Sequence, residues 1–456
     1  MRHPALLIAG THSGCGKTTV TLGIMAVLHQ RGFTVHPFKC GPDFIDPTLH
    51  RLITGNASRS LDVRMCGPEY VQQTFSTHAP AVPTGRAISI IEGVMGLFDG
   101  GTSSAAHLAI LLGLPVILVV DVRSAAESVA AVVKGFESLD PQVRLAGVIC
   151  NRTGSERHVQ MVTDAVRQHC RAEVIGSLPR ENGISLPSRH LGLHMGTEID
   201  LNRTRLIELM EEHLDVDRLV TLAGEAQVPQ SSSAAPLEPV GRVRLGLARD
   251  AAFCFYYQDN LDMLETAGAE LVLFSPLHDK TLPENLDGLY LGGGYPELHA
   301  EALSANEAMR EAVLAFSRYE KPVYAECGGF MYLTEAIFSA DGQQYPMVGV
   351  YPVTSRMQPR LRSLGYRQAE MRSATILGPA GSRCYGHEFH YSAIDAMPEE
   401  IKRGYLLDGG REEGYVRDNT LAGYVHLHWG RTPEVPRYFV RMMQKKGTGR
   451  VYEFVA

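Results

Sequence analysis

The stretch Ala5-Leu-Leu-Ile-Ala9-Gly10-Thr11-His12-Ser13-Gly14-Cys15-Gly16-Lys17-Thr18-Thr19 decides the fold of the first half of this chain. An apolar strand-like run leads into a glycine-rich turn, and a helix-like segment, Thr18–Gln30, follows. A glycine-rich loop between a strand and a helix turns backbone N–H groups toward a bound phosphate. In such a loop Lys17 reaches the terminal phosphates and the Thr18 hydroxyl binds Mg²⁺. Gly14, Gly16 and Thr19 complete the expected nucleotide-binding set. The full G-x-x-x-x-G-K-[ST] spacing is not met, because Thr11 stands where the first glycine belongs and Gly10 lies one place earlier.

Outward from this loop, short apolar runs alternate with helical patterns. Ala5–Ala9, Thr34–Phe38, Ala87–Ile91, Val116–Asp121, Leu145–Cys150 and Glu173–Ser177 read as strands, and Ser124–Leu139 reads as a further helix. That alternation predicts a parallel doubly wound sheet. Ligands of such sheets sit at the carboxyl ends of the strands. Asp43 and Asp46 fall just past one strand end, in Phe38-Lys-Cys-Gly-Pro-Asp-Phe-Ile-Asp-Pro, and Glu92 closes another apolar strand. Thr18, Asp43 and Glu92 are the expected Mg²⁺ partners. Asp46 could orient a substrate carboxylate, and Asp99 is an acid in a loop, as readily a turn or cap residue as a functional one. Asn151, ending Val148-Ile-Cys-Asn, either reads an adenine edge or is an ordinary turn asparagine.

Near Gln227 the pattern breaks into a Ser-, Ala- and Pro-rich segment that reads as a linker. The expected division is 1–222, a linker over 223–241, and 242–456. A second α/β pattern begins at Val243–Ala248. It continues through a helix at Asn260–Ala267, a strand at Glu270–Phe274 and a strand that enters the glycine turn Gly292-Gly-Gly294. Cys327, in Tyr324-Ala-Glu-Cys-Gly-Gly, lies between the strand Pro322–Ala325 and a helix-like Phe330–Ala336. A sharp strand-to-helix turn exposes a thiol and favours its thiolate. The N–H groups of Cys327 and of its neighbour Gly328, with those of Gly293 and Gly294, are the expected oxyanion donors. A thiol nucleophile needs a histidine as base and acid. His426 and His428, in Gly423-Tyr-Val-His-Leu-His-Trp, supply two candidates, of which one is expected to face the thiol.

The rest of the sequence is permissive. Its 456 residues, 45% hydrophobic and 20% charged, suit two soluble globular domains. A net charge of -7 gives no reason to expect nucleic acid. No long apolar run suggests a membrane span, and the apolar start is too short for a signal peptide. The eight cysteines include no C-x-x-C pair and fit reduced thiols in the cytoplasm.

These pieces together resemble the cobyrinic acid a,c-diamide synthase family, ATP- and glutamine-dependent amidases of tetrapyrroles. The resemblance runs along essentially the whole chain. Its most specific segments are Phe38–Pro47, Ser58–Asp62, Glu92–Gly100, Leu291–Glu297, Cys327-Gly-Gly, Leu364–Arg367, Gly386–Ser392 and Gly423–Trp429. It implies an N-terminal P-loop domain similar to dethiobiotin synthetase and a C-terminal class I glutamine-amidotransferase-like α/β domain. Partition-type ATPases, which act as switches, carry a second lysine five residues before the main one; here that place is His12.

The resemblance implies that ATP phosphorylates the c and then the a acetate of cobyrinic acid, and that ammonia from L-glutamine displaces the phosphate. It makes Cys327 the nucleophile and His426 its base. The usual third member, a glutamate two residues after the histidine, is replaced by His428, so an orienting carboxylate is missing from that place. Arg356, Arg360, Arg362 and Arg367, with Arg59 and Arg64, are candidates for a cleft that binds carboxylates, Arg367 above all; a solvated basic loop is the alternative. Such a cleft is expected between the domains. Related substrates (hydrogenobyrinic acid, nickel-sirohydrochlorin), a cobyric acid synthase-like amidase and a homodimer all remain open on sequence.

Overall fold

The computed structural model describes residues 3–79, 86–181, 202–229, 238–319 and 321–444. The chain forms two compact units, Met1–Ala234 and Ala235–Ala456. Residues 230–237 of the expected linker lie outside the described residues.

The first unit alternates strand and helix as the apolar periodicity requires. Its elements are β1 (Ala5–Gly10), α1 (Lys17–Gln30), β2 (Thr34–Cys40), α2 (Ile45–Thr54), β3 (Arg59–Leu61), α3 (Val63–Cys66), α4 (Pro68–His78), β4 (Ala87–Gly96) and α5 (Ala105–Leu112). After them come β5 (Val116–Asp121), α6 (Val129–Leu139), β6 (Leu145–Thr153), α7 (Glu156–His169), β7 (Glu173–Pro179), α8 (Arg203–His213) and α9 (Val216–Ala223). Among the described residues the sheet has seven parallel strands in the order β3-β2-β4-β1-β5-β6-β7. β1 is buried along its whole length, as a central strand covered on both faces must be. α1 is apolar on nearly every side because it packs between the sheet and α8. At Gly23 a Cβ would stand 2.8 Å from the Met210 side chain, so the two helices approach closely there. The helix expected over Ser124–Leu139 begins only at Val129, because a turn from Val122 to Ala125 takes up the residues before it.

The second unit is built on β8 (Val243–Ala248), α10 (Gln258–Ala267), β9 (Ala269–Phe274), β10 (Gly288–Leu291), α11 (Ala300–Ala305), α12 (Glu307–Arg318), β11 (Val323–Glu326) and α13 (Gly328–Leu333). It continues through β12 (Thr334–Phe338), β13 (Gln344–Pro346), β14 (Tyr351–Met357), β15 (Ser363–Met371), β16 (Arg383–His390), β17 (Ser392–Ile394) and β18 (Lys402–Leu407). It closes with β19 (Glu412–Arg417), β20 (Thr420–Gly423), β21 (His426–His428) and α14 (Glu434–Gln444). The main sheet runs β21-β16-β15-β18-β19-β20-β11-β10-β8-β9. Its β9, β8, β10, β11 and β20 are parallel, and the strands beyond β20 are antiparallel.

The antiparallel extension and a separate sheet, β13-β12-β14-β17, go beyond the α/β alternation read from the sequence. The helix expected over Phe330–Ala336 is corrected accordingly. It stops at Leu333, and Thr334-Glu-Ala-Ile-Phe338 pairs with β14 as a strand. β-branched and aromatic side chains favour that state. Two apolar clusters cover the main sheet, with Val323 and Ala325 of β11 in one and Tyr324 in the other. That is the two-residue period of a strand buried on both faces.

Candidate active site

At the carboxyl end of β1, Gly14 and Gly16 both take the left-handed conformation, with φ of 85° and 93°. Gly16 caps α1, and Lys17 is its first residue. A Cβ at Gly16 would stand 2.2 Å from the Asn151 amide nitrogen, so the loop needs glycine there for space as well as for backbone angle.

Lys17 and Thr18 both donate to one oxygen of Glu92, at 2.9 and 2.7 Å. Glu92 is fully buried. Its other oxygen meets His50 Nε2 at 2.8 Å, and Lys39 Nζ lies 3.4 Å away. Lys39 in turn donates to Asp46 at 2.6 Å and to the Gly93 carbonyl at 3.0 Å. Burial alone raises a carboxyl pKa, but Lys17, Lys39 and His50 more than offset it and hold Glu92 well below the usual carboxylate range. Lys39 and His50 had drawn no notice in the sequence. Lys39 meets Glu92 as its register partner, and His50 lies one helix turn after Asp46.

The expected metal partners divide. The Thr18 hydroxyl and the Glu92 carboxylate are adjacent hard oxygen donors of the kind Mg²⁺ takes alongside phosphate. Asp43 stands apart. One of its oxygens accepts from the N–H groups of Ile45 and Asp46 at 2.8 and 3.2 Å, and the other lies 3.8 Å from Lys39 Nζ. Among the described residues no three His, Cys, Asp or Glu side chains converge as a metal cage.

Three other expected side chains are engaged within the fold. The Asn151 amide donates to the Cys15 carbonyl at 2.8 Å and accepts from Arg152 N–H at 2.9 Å, and so braces the phosphate loop. Asp99 accepts from Gly96 N–H at 2.9 Å and closes the turn after β4. Arg367 spends its guanidinium on Glu388 (2.7 Å), Ser363 Oγ (3.0 Å) and the Tyr366 carbonyl (2.8 Å), within the β15–β16 hairpin. Its Nη1 and Nη2 each keep one further N–H donor beside these contacts. Arg152, which had drawn no notice, reaches the Gly14 carbonyl at 2.8 Å and Asp121 at 2.6 Å from a left-handed backbone with φ of 64°.

In the second unit, Cys327 follows β11 with φ of 46°. A non-glycine residue there is uncommon and strained. The conformation turns the thiol out of the strand toward the buried His426 ring. Burial opposes charge on that ring, but the neighbouring Cys327 and Glu326 win and raise its pKa to about 10. The carboxyl group facing His426 Nδ1, at 3.8 Å, belongs to Glu326, the residue before the cysteine. The histidines do not divide by face as expected. Two residues apart on a strand they share one face, and distance along β21 separates them. His428 Nε2 lies 3.9 Å from Asp259, and its Nδ1 accepts from Gly430 N–H at 3.0 Å.

The oxyanion donors are fewer than expected. Cys327 N–H donates to the Gly423 carbonyl at 2.8 Å, and Gly293 N–H is spent on the Phe255 carbonyl at 3.3 Å. Gly293 contributes space, since a Cβ there would stand 2.3 Å from His426 Cε1. A Cβ on Gly328 would stand 2.9 Å from Gly294 N, so these two residues bring their backbones together beside the thiol.

Comparison with known proteins covers both units. Residues 6–193 match the CobQ/CobB/MinD/ParA nucleotide binding domain family, and residues 244–434 match the CobB/CobQ-like glutamine amidotransferase domain family. The chain is 43% identical to the cobyrinate a,c-diamide synthase of Syntrophotalea carbinolica, covering 96% of this chain and 98% of that protein. It is 42% identical to the enzyme of that description from Listeria innocua, over 98% and 99% of the two chains. The counterpart from Dehalococcoides mccartyi is 41% identical over 97% and 98%.

Proposed function

The chain belongs to the cobyrinate a,c-diamide synthase family of glutamine-dependent ligases, and from that premise we propose that it converts the a and c acetate carboxylates of cobyrinic acid to amides through an acyl-phosphate. The observation that carries this reading is the strained Cys327 beside the buried His426 in a chain that also holds the Lys17–Glu92 phosphate loop.

In the first unit, Lys17 exchanges Glu92 for the terminal phosphates of ATP when the nucleotide binds. Thr18 and Glu92 would hold Mg²⁺, which would supply neutralisation of phosphate charge. Lys39 supplies a second cation, and Asp43 and Asp46 fix its position. The carboxylate attacks the γ-phosphorus, ADP leaves, and an acyl-phosphate remains.

In the second unit, His426 takes the Cys327 proton and the sulfur attacks the glutamine amide. Gly294 and Gly328 N–H groups receive the oxyanion. His426 returns the proton to the leaving ammonia, and water then hydrolyses the thioester to glutamate. Ammonia displaces phosphate from the activated carboxyl group.

The test is direct. The protein is incubated with ATP, Mg²⁺, glutamine and a panel comprising cobyrinic acid, hydrogenobyrinic acid and nickel-sirohydrochlorin, and the amides formed are counted by mass spectrometry. Two amides on cobyrinic acid are expected. Amidation confined to another tetrapyrrole would reassign the substrate, and amidation of none would reject the reading.

A further inference from the structure

In a class I glutaminase the carboxylate that orients the histidine stands two residues after it, and here that position is His428, which sits against Asp259. We propose that Glu326, the residue before the nucleophile, is the positioning carboxylate for His426. The proposal rests on the glutaminase reading of Cys327 and His426 above.

Strand geometry builds the site. Tyr324 and Glu326 share a face of β11 by the two-residue period, and Tyr290 of β10 is the register partner of Tyr324. The two phenols therefore converge on the carboxyl group. Tyr324 donates to one oxygen at 2.5 Å and Tyr290 to the other at 3.1 Å. Burial and the neighbouring Glu326 push both phenols well above their ordinary values, so they remain protonated donors. Leu427 N–H, next to His426, donates at 3.0 Å to the oxygen that Tyr324 holds. The oxygen held by Tyr290 faces His426 Nδ1 at 3.8 Å.

A buried carboxyl group with this many fixed donors cannot swing; it holds the backbone beside His426 through Leu427 and faces the ring. A separation of 3.8 Å is longer than a hydrogen bond. Catalytic hydrogen bonds of substrate-free sites commonly tighten only in the reacting complex. With its Nδ1–H toward Glu326, the ring presents Nε2 as the basic nitrogen. The thiol proton moves to Nε2, the S–C bond forms, and the proton passes to the departing nitrogen as the C–N bond breaks. Glu326 stays ionised throughout and stabilises the imidazolium.

The bland alternative is that Glu326 only ties β11 to β21 through Leu427. Glu326→Gln separates the two, because glutamine keeps an acceptor for Leu427 and Tyr324 while losing the charge. The groups facing His426 are Cys327 and Glu326 from the β11 elbow, with His387 stacked at 5.1 Å and His390 from β16. Loss of the one negative charge contributed by Glu326 lowers the pKa of the imidazolium.

Glutamine hydrolysis by E326Q is expected to fall on the order of 10²-fold in kcat. KM for glutamine should hardly change, the alkaline limb of the kcat profile should move to lower pH, and ammonia-dependent amidation should be intact. In a Cys327→Ser background, NMR of ¹⁵N-histidine should show a lower His426 pKa with E326Q than without it. That measurement needs neither activity nor a known tetrapyrrole, so failure of the synthetase reading stays distinguishable. Near-parental kcat, or a fall in kcat with both the pH profile and the His426 pKa unmoved, would overturn the proposal. If E326Q does not fold, C327S alone decides: a His426 pKa at or below the ordinary histidine value rejects it.

Discussion

Lys39 Nζ lies 3.4 Å from the Glu92 carboxylate because the two residues are register partners on the neighbouring strands β2 and β4. With Lys17 on the same carboxylate oxygen, Glu92 holds two buried ammonium groups at once. Glu92→Ala therefore takes from Lys17 its carboxylate partner and leaves Lys39 to Asp46 and Asp43, at a cost of about 3–5 kcal/mol. It is also expected to stop amide formation with ammonia as nitrogen source while glutamine hydrolysis continues. Acid should weaken the first unit through the same group. Its folded pKa is depressed, so its contribution is present above the unfolded value near 4.5 and is lost as pH falls through the folded value. Denaturant titrations of the parent and variant from neutral pH to well below pH 4 check the stability claim. Near-parental amide yield would remove Glu92 from the nucleotide chemistry.

Lys17→Ala should abolish carboxylate activation with either nitrogen source. The side chain is the loop's cation, and its ion pair with Glu92 is the contact that phosphate would replace. Phosphate release and amide formation are measured together with ammonium in excess. Full ammonia-dependent synthesis would mean that the loop does not carry the nucleotide.

Cys327→Ser should lose glutamine hydrolysis and glutamine-dependent synthesis yet retain synthesis at high ammonium, since only the nitrogen source is removed. The substitution preserves volume at the strained φ of 46°. A variant equally inactive with ammonia would assign Cys327 to the fold.

The parts of the molecule legible in the sequence were those with strong local signals. β1, its glycine loop and α1 declare themselves through periodicity and composition, and Val243–Ala248 was delimited to the residue. The cysteine elbow was legible for the same reason: strand, Cys-Gly-Gly and helix are contiguous. Groups recruited by register were not. Lys39 meets Glu92, and Tyr290 meets Glu326, only because parallel strands far apart in sequence align them. The bracing contacts of Asn151 and Arg367 were not legible because a polar residue at a strand end or in a basic run looks the same whether it faces a ligand or braces a loop. Thr334–Phe338 misled because six residues of true helix precede it without a breaker.

His426→Ala is expected to lower glutamine hydrolysis by about 10²–10⁴-fold, the usual cost of a positioned base. His428→Ala should be milder in rate and show mainly in stability, because His428 caps the turn after β21 through Gly430. The pH profile adds a second check. The His426 pKa is raised, so the stabilisation of its charged form is fully present below the unfolded value near 6.5 and is lost as pH rises through about 10. The alkaline limb of glutaminase activity should therefore lie well above that of an ordinary histidine. Reversed ranking of the two variants would move the base to His428.

Gly293→Ala tests whether the ring of His426 is held by contact as well as by charge. The added methyl carbon would stand 2.3 Å from His426 Cε1, where real carbon contacts do not occur, so either the imidazole or the turn after β10 has to move. Glycine is not required there by backbone angle, since Gly293 is not among the residues with positive φ. The consequence is thus steric and local, and the fold tolerates it through displacement of the ring. A shift of about 1 Å at a reacting group costs on the order of 10²-fold in rate. We expect that loss in kcat for glutamine hydrolysis, with ammonia-dependent synthesis and the thermal midpoint nearly unchanged. Steady-state glutaminase assays beside ammonia-dependent synthesis decide it. Parental glutaminase activity in G293A would mean that His426 does not occupy this position when glutamine is bound.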